Sequence, residues 1–257
     1  MSNVYYERRY SYSAAGGRPI TFAVQRLIVA TTIAFAIQLI VFIPAAAFGA
    51  LPLTVEYWLG LNPALLRFGA VWQLATYIFL HGSLMHLFFN MLTLYFFGPD
   101  VERILSTRQF FRFYFLCGIV GGICQFGLSI AQGSNAPTIG ASGATLGVLA
   151  ACAVAYPKRE VYLFPLPFPL YMWALAVLFF VLSLTSDRSA GGTAWAAHAG
   201  GMAFGFAYMK LVPVLREWFE RFASRARKVD ASKEPLDAVG EAVDNIFKFD
   251  EEKKKRK

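Results

Sequence analysis

Ile139-Gly140-Ala141-Ser142-Gly143-Ala144-Thr145-Leu146-Gly147 is the stretch around which the chain is organised, and it opens a hydrophobic segment that runs to Tyr156. Glycine leaves room for a neighbouring backbone or a substrate to approach. The N-terminus of a helix offers free N–H groups and a partial positive charge, which suit a developing oxyanion. Ser142 is therefore a candidate nucleophile, and the question is whether the chain supplies a base for it.

The composition predicts a membrane protein with several spans. Of 257 residues, 57% are hydrophobic and 16% are charged, whereas soluble domains carry about 25% charged residues. Three cysteines lie in apolar segments without a CxxC pair, at Cys117, Cys124 and Cys152. We interpret them as packing residues rather than as a metal site or a disulfide framework, and we expect no cofactor.

Six hydrophobic segments predict an all-α, polytopic six-transmembrane-helix bundle. This membrane domain covers residues 22–213, between a cytoplasmic N-terminal segment (1–21) and a cytoplasmic amphipathic and basic tail (214–257). A span needs roughly 20 apolar residues. The fourth and fifth segments are shorter, so we expect one end of each to stop inside the bilayer, beside a water-filled cavity. The six predicted spans are 27–48, 74–98, 110–131, 139–156, 170–185 and 193–213.

The basic residues predict the orientation of the bundle. With six spans, all of the 24 Lys and Arg residues except Arg67 and Arg188 fall on the side of the two termini. The positive-inside rule then places both termini in the cytoplasm. Residues 1–19 contain no apolar core of a cleavable signal. We therefore expect a multi-pass integral protein of the cell (inner) membrane.

The tail after residue 213 carries two amphipathic stripes and a basic end. We expect this region to be solvated or to lie at the lipid surface, where residues 253–257 would attract anionic lipid. Nucleic acid is a disfavoured partner, since no recognition motif accompanies the charge. The stripes consist of Leu215, Trp218, Phe219 and Phe222, followed by Leu236, Val239, Val243 and Ile246.

His198 is the candidate base for Ser142, because glycines allow the two helices to pack closely. His198 falls on the same helix face as two glycines of its own segment. Glycine pairs and intramembrane serines are also common packing devices, but the shared face favours a catalytic pair. The small-xxx-small pairs are Gly143 with Gly147, and Gly201 with Gly205.

The second span supplies two candidate oxyanion donors. His86 and Asn90 are four residues apart and share a helix face. Together with the backbone N–H of Ser142, they could stabilise a tetrahedral intermediate. A polar cluster that holds helices together is one alternative, and a zinc site of three histidines is another. His81 could simply fix a loop by hydrogen bonding.

Acidic residues are predicted to be absent from the cores of the six spans. A Ser-His-Asp triad is therefore disfavoured, and a Ser-His dyad oriented by helix packing is the sharper hypothesis. The acidic residues considered lie in predicted connectors, at Glu56, Asp100, Glu102, Glu160 and Asp187.

Taken together, these motifs resemble the rhomboid family of intramembrane serine proteases. The resemblance covers about residues 72–205. It rests on the order and spacing of four pieces: His81-x4-His86-x3-Asn90-Met91, then Phe97-Gly98 with Glu102, then Gly140-Ala141-Ser142-Gly143, then His198-x2-Gly201-x3-Gly205.

The resemblance implies a Ser142 nucleophile, a His198 base, and an oxyanion hole that includes His86 and Asn90. It also implies a water-filled site that opens opposite the termini, and membrane-spanning protein substrates that approach beside the fifth helix. Supporting positions are His81, Gly140, Gly143, Gly201 and Gly205. No metal is implied.

Two positions depart from the family pattern. Gln73 follows Trp72 where relatives often carry arginine, so the first connector is expected to be held differently. Leu146 stands where some relatives place an aromatic ring against the histidine, so His198 is expected to depend on other neighbours.

Two other functions are alternatives to proteolysis. A catalytically silent relative would bind membrane helices as a chaperone or quality-control factor, but such relatives usually lack the serine or the histidine. A small transporter or channel would be expected to carry acidic residues or broken helices in paired halves.

Overall fold

The computed structural model describes residues 20–47, 55–162, 167–186 and 194–231, with the backbone alone at 41–47, 183–186 and 215–231. These residues are mostly helical, and a short antiparallel hairpin pairs Glu160 with Tyr171. The elements are α1 (Phe22–Ala47), α2 (Val55–Leu59), α3 (Pro63–Leu66), α4 (Gln73–Thr76), a 3₁₀ turn (Tyr77–Phe79), α5 (Leu84–Leu105), α6 (Thr107–Ala131), α7 (Ser142–Ala155), β1 (Glu160–Val161), β2 (Leu170–Tyr171), α8 (Met172–Ser186) and α9 (Trp195–Ala231).

Two compact units divide the chain, at Met1–Met209 and Lys210–Lys257. The predicted domain boundaries at residues 21 and 213 remain predictions. Several predicted features lie outside the described residues: most of the N-terminal segment, Asp187, Arg188, the second tail stripe and the basic run at 253–257.

Helix α7 lies at the centre of the first unit and packs against α5, α6 and α8. All its residues from Gly143 to Cys152 are buried. A helix that is apolar on every side is stable only when neighbours cover it all round. Small side chains and glycines along α7 let those neighbours approach, so Ser142 begins a helix enclosed by the bundle.

Two of the described helices are each long and apolar enough to cross a membrane: the 22–40 part of α1, and α6. The α4 region together with α5 makes a third span if this bent pair is counted as one. The predicted shortness of the fourth and fifth segments is confirmed, since α7 has 14 residues and α8 has 15. At 1.5 Å per residue, each falls short of the roughly 30 Å hydrocarbon core.

The prediction of one continuous second span at 74–98 is wrong. The 3₁₀ turn ends at Phe79, α5 begins at Leu84, and the two parts are bent by 99°. Ser83 is the N-cap of α5, where its hydroxyl oxygen accepts a hydrogen bond from the backbone N–H of His86 at 3.1 Å. Such a cap satisfies a free N–H at the start of a new helix, and the break leaves His81 in the corner.

The placement of Asp100 and Glu102 in a connector is also wrong, because α5 continues to Leu105. Both carboxylates are buried. Glu102 accepts hydrogen bonds from the backbone N–H groups of Ala23 at 3.1 Å and Val24 at 3.2 Å, and from the hydroxyl of Thr107 at 2.7 Å. The first N–H groups of a helix have no partners within it, so this buried carboxylate fixes the start of α1 to the end of α5.

Asp100 connects α5 to the hairpin that precedes α8. It forms a short ion pair with Arg159 and lies 3.7 Å from Arg103. The backbone oxygen of Arg159 accepts a hydrogen bond from Met172 N at 2.8 Å. The base of α8 is therefore anchored to the buried end of α5.

The last helix is longer than the predicted span. It continues through Pro213 to Ala231, whereas the sequence predicted an end at 213. The fifth helix begins two residues after the predicted start, because Leu170 and Tyr171 form β2.

Candidate active site

Ser142 and His198 are in hydrogen-bond contact, with the serine Oγ 2.6 Å from the histidine Nε2. Ser142 is the first residue of α7, and His198 lies in the first turn of α9. The sequence predicted this proximity, and the distance confirms it. A nucleophile activated by a neighbouring base needs this separation.

Backbone contact between α7 and α9 brings the two side chains together. A Cβ at Gly201 would overlap the carbonyl oxygen of Gly143, and a Cβ at Gly205 would overlap that of Gly147. A Cβ at Gly147 would lie 2.8 Å from the carbonyl oxygen of Gly201. The predicted close packing through both small-xxx-small pairs is therefore confirmed.

His198 has no carboxylate partner among the described residues. Its Nδ1 atom is buried and makes no hydrogen bond to any of them. The described geometry is thus that of a dyad in which packing, rather than a third side chain, orients the imidazole. Within the described ranges, no three histidine, cysteine or acidic side chains are grouped to hold a metal ion.

Gly140 brings His86 close to the serine. Its φ angle is +128°, a conformation that side-chain-bearing residues rarely adopt. A Cβ there would lie 2.8 Å from His86 Nε2 and 3.7 Å from Ser142 Oγ. Because glycine has no Cβ, the His86 ring can pack directly against the Gly140 backbone, next to Ser142.

Asn90 is buried and joined to Thr145. Its amide nitrogen donates a hydrogen bond to the backbone oxygen of His86 at 2.9 Å, which uses one of two amide hydrogens. Its Oδ1 accepts from the Thr145 hydroxyl at 3.0 Å. That hydroxyl also lies 3.3 Å from the backbone oxygen of Ser142. Sequence reasoning missed Thr145, although it lies one turn after Ser142.

Further hydrogen bonds fix the segment before Ser142. The backbone N–H of Gly140 donates to the backbone oxygen of Tyr77 at 2.9 Å, and the Tyr77 hydroxyl donates to the backbone oxygen of Gly118 at 2.6 Å. Thr138 exchanges two backbone hydrogen bonds with Leu61, at 2.9 and 3.0 Å. Tyr77 was not singled out by the sequence, because nothing local marks its partner.

Gln73 holds the connector between α1 and α4. It is fully buried. Its Oε1 accepts from Asn62 N at 3.0 Å, and its Nε2 lies 3.3 Å from the Tyr57 oxygen and 3.1 Å from the Trp58 oxygen. The Gln73 amide therefore anchors this connector, at the first of the two positions that depart from the pattern expected from the resemblance. The second departure, Leu146, is a buried core residue.

His81 lies beside His86 at the corner between the 3₁₀ turn and α5. The two rings meet edge to face, with centroids 5.0 Å apart. His81 Nδ1 is 3.4 Å from the backbone oxygen of Phe79, and its Nε2 is buried without a hydrogen-bond partner among the described residues. The structure thus brings all three histidines into one region around Ser142.

Comparison with known proteins agrees with the motif resemblance. The family profile described as "Rhomboid domain" matches residues 69–213, more than half of the chain. The protein belongs to the rhomboid family. This rhomboid is an integral membrane protein whose matched region contains Ser142, His198, His86 and Asn90.

Three curated relatives illustrate the range of similar rhomboids. "Presenilin-associated rhomboid-like protein, mitochondrial" of Bos taurus is 29% identical over 166 residues, covering 60% of this chain and 44% of the relative. "Rhomboid protease GluP" of Bacillus subtilis (strain 168) is 33% identical over 144 residues, covering 56% and 26%. "Rhomboid protein 1, mitochondrial" of Saccharomyces cerevisiae (strain ATCC 204508 / S288c) is 31% identical over 139 residues, covering 51% and 38%. The chain thus aligns with less than half the length of these relatives.

Proposed function

We propose that this rhomboid is an intramembrane serine endopeptidase. It hydrolyses peptide bonds in or near the transmembrane segments of other membrane proteins. The observation that carries the proposal is the 2.6 Å contact between Ser142 Oγ and His198 Nε2 inside a bundle of apolar helices. A relative named as a rhomboid protease, from Bacillus subtilis, adds support.

In the acylation step, His198 Nε2 takes the hydroxyl proton while Ser142 Oγ attacks the substrate carbonyl carbon. The tetrahedral intermediate then collapses as His198 gives that proton to the departing amine, which leaves an acyl-enzyme. In deacylation, His198 removes a proton from water, and the water oxygen attacks the ester. The second tetrahedral intermediate collapses with cleavage of the bond between the acyl carbon and Ser142 Oγ, His198 returns the proton to that oxygen, and the carboxylic acid product leaves.

The developing oxyanion would lie beside Ser142, on the side where the His86 ring packs against Gly140. His86 Nε2 is one candidate donor, the second amide hydrogen of Asn90 is another, and the backbone N–H of Ser142 lies at the start of a helix. Fixed donors in a water-poor site stabilise charge more strongly than mobile water does. We therefore assign His86 and Asn90 to the oxyanion hole, and His81, Gly143, Gly201 and Gly205 to its support.

The proposal includes six membrane crossings, with both termini in the cytoplasm. The short helix α7 begins within the bilayer. Its first residue, Ser142, is therefore reached by water from the side of the membrane opposite to the two termini. Substrate segments approach beside α8, whose outward face exposes Trp173, Val177 and Val181. Two relatives carry "mitochondrial" in their names, and we retain the cell membrane as the proposed location.

Cleavage of a transmembrane reporter by the purified protein in lipid vesicles tests this proposal. Ser142→Ala and His198→Ala should abolish cleavage, because each removes one half of the dyad. Ser129→Ala is the matched control, since Ser129 is a buried serine of α6 without an assigned role. Full cleavage by Ser142→Ala would falsify the proposal, whereas cleavage lost equally in Ser129→Ala would point to general misfolding.

A further inference from the structure

We propose that Gln38 is a positioning residue for this reaction, acting from the first helix. Its side-chain amide fixes the peptide group of His81 and thereby sets the position of His86 beside Ser142. This inference rests on the proposed function. Both Gln38 and Glu56 precede the region that matches the rhomboid profile, which begins at residue 69.

The Gln38 amide binds both backbone polar groups of His81. Its Oε1 accepts from His81 N at 3.0 Å, and its Nε2 donates to the His81 carbonyl oxygen at 2.9 Å. A third hydrogen bond runs from Nε2 to Glu56 Oε1 at 2.7 Å. The side chain is 4% exposed, so losing these bonds would leave buried polar groups unpaired, which is costly.

The backbone of the corner that Gln38 contacts makes few hydrogen bonds to other backbone groups. Residues 80–83 lie between the 3₁₀ turn and α5, where the chain bends by 99°. Buried N–H and C=O groups outside regular structure must find partners elsewhere. Phe35, one turn before Gln38, packs edge-on against the His81 ring with centroids 6.4 Å apart. Helix α1 therefore contacts both the backbone and the ring of His81.

A continuous set of contacts leads from this corner to the reacting atoms. The His81 ring packs against His86 at a centroid distance of 5.0 Å. The His86 ring packs against Gly140, where a Cβ would lie 2.8 Å from His86 Nε2 and 3.7 Å from Ser142 Oγ. A shift of the His81 peptide would move the proposed oxyanion donor relative to the nucleophile, without touching the dyad itself.

The first test replaces Gln38 by methionine, which has a similar length but forms no comparable hydrogen bonds. We expect kcat for a transmembrane reporter to fall by about tenfold or more, since small misplacements of catalytic groups are costly. KM should change little, because the loss of a group that acts only on the transition state lowers kcat without weakening substrate binding. Thr31→Val is the matched control: Thr31 is a buried residue of α1, two turns before Gln38, and its hydroxyl makes no hydrogen bond to a described residue. It should keep wild-type kcat.

A single variant and a double variant test the positioning role of Gln38 even if Gln38→Met fails to fold. Gln38→Glu places a carboxylate against Glu56 and should lower kcat further. Adding Glu56→Gln lets the new amide at position 56 donate a hydrogen bond to the carboxylate at position 38. The double variant should therefore recover at least part of the lost kcat. No recovery in the double variant, or an equal loss of kcat in Thr31→Val, would overturn the positioning role. If Ser142→Ala is inactive while Gln38→Met matches wild type in both kcat and KM, this inference alone fails.

Discussion

At the scale of single residues, Thr145 joins the nucleophile's helix to the proposed oxyanion hole. Its hydroxyl lies 3.0 Å from Asn90 Oδ1, and this contact orients the Asn90 amide together with the 2.9 Å hydrogen bond from the amide nitrogen to the His86 backbone oxygen. We predict that Thr145→Val lowers kcat about tenfold, because an oxyanion donor that loses its orientation gives up part of the 10²–10³-fold that a complete donor contributes.

Reporter cleavage kinetics check this prediction, with Thr93→Val as the control. The Thr93 hydroxyl donates to the backbone oxygen of Phe89 in its own helix, at 2.8 Å. Removing it should leave kcat unchanged. Equal effects of the two valine substitutions would contradict a specific role for Thr145.

Sequence analysis identified the site residues that belong to motifs with a regular spacing. It missed the residues whose hydrogen-bond partners lie far away along the chain. Ser142 and His198 were found because glycines flank them on matching faces. Gln38 contacts a residue 43 positions away, and Thr145 contacts one 55 positions away. No local pattern indicates such partners, since they meet only when separate helices pack.

At the scale of elements, the contact between α7 and α9 determines the dyad geometry. We predict that Gly201→Ala lowers the free energy of unfolding by about 1–3 kcal/mol, the usual cost of overpacking. It should also reduce cleavage strongly, because the added Cβ overlaps the Gly143 carbonyl oxygen and must push the helices apart.

Gly127→Ala is the matched control for this substitution. A Cβ at Gly127 of α6 meets nothing within 4 Å. Alanine should therefore leave activity intact and stability unchanged or raised by about 0.5–1 kcal/mol. Unfolding in mild detergent, together with reporter cleavage, measures both quantities. Wild-type activity in Gly201→Ala would show that the close contact is not required.

The element boundaries were less predictable than the element types. Hydrophobic runs indicated helices, but hydropathy could not separate the 3₁₀ turn from α5, because apolar residues continue on both sides of the bend. The N-cap at Ser83 is the local feature that divides them. The buried carboxylates of Asp100 and Glu102 were assigned to a connector because their partners, Arg159 and the start of α1, are distant in sequence.

At the scale of the whole molecule, composition was sufficient to predict an integral membrane protein, but not to count its spans. Length and hydropathy select only two described helices, or three with the bent pair. Helix α7, which lies in the predicted fourth span, is too short to qualify by length, and α9 carries many charged residues from Lys210 onward. Whether a helix crosses the membrane depends on which of its faces are packed against other helices of the bundle. The hydropathy of one segment does not contain this information.

The orientation of the chain in the membrane gives a testable prediction for the whole molecule. In a background in which Cys117, Cys124 and Cys152 are replaced by alanine, Phe68→Cys, at a side chain that is 91% exposed, and Lys257→Cys should react with an impermeant maleimide from opposite sides of sealed vesicles. The reason is that six crossings put the first connector opposite the C-terminus. Both sites should react once detergent opens the vesicles. Labelling of both from one side would rule out the proposed topology.

The most direct test of the central claim is the reaction of the folded protein with a fluorophosphonate probe, mapped by peptide mass spectrometry. We predict a covalent adduct on Ser142 in the wild-type protein, and its loss in His198→Ala, because the probe reports a serine activated by a neighbouring base. An adduct absent from Ser142, or formed equally well without His198, would contradict the dyad.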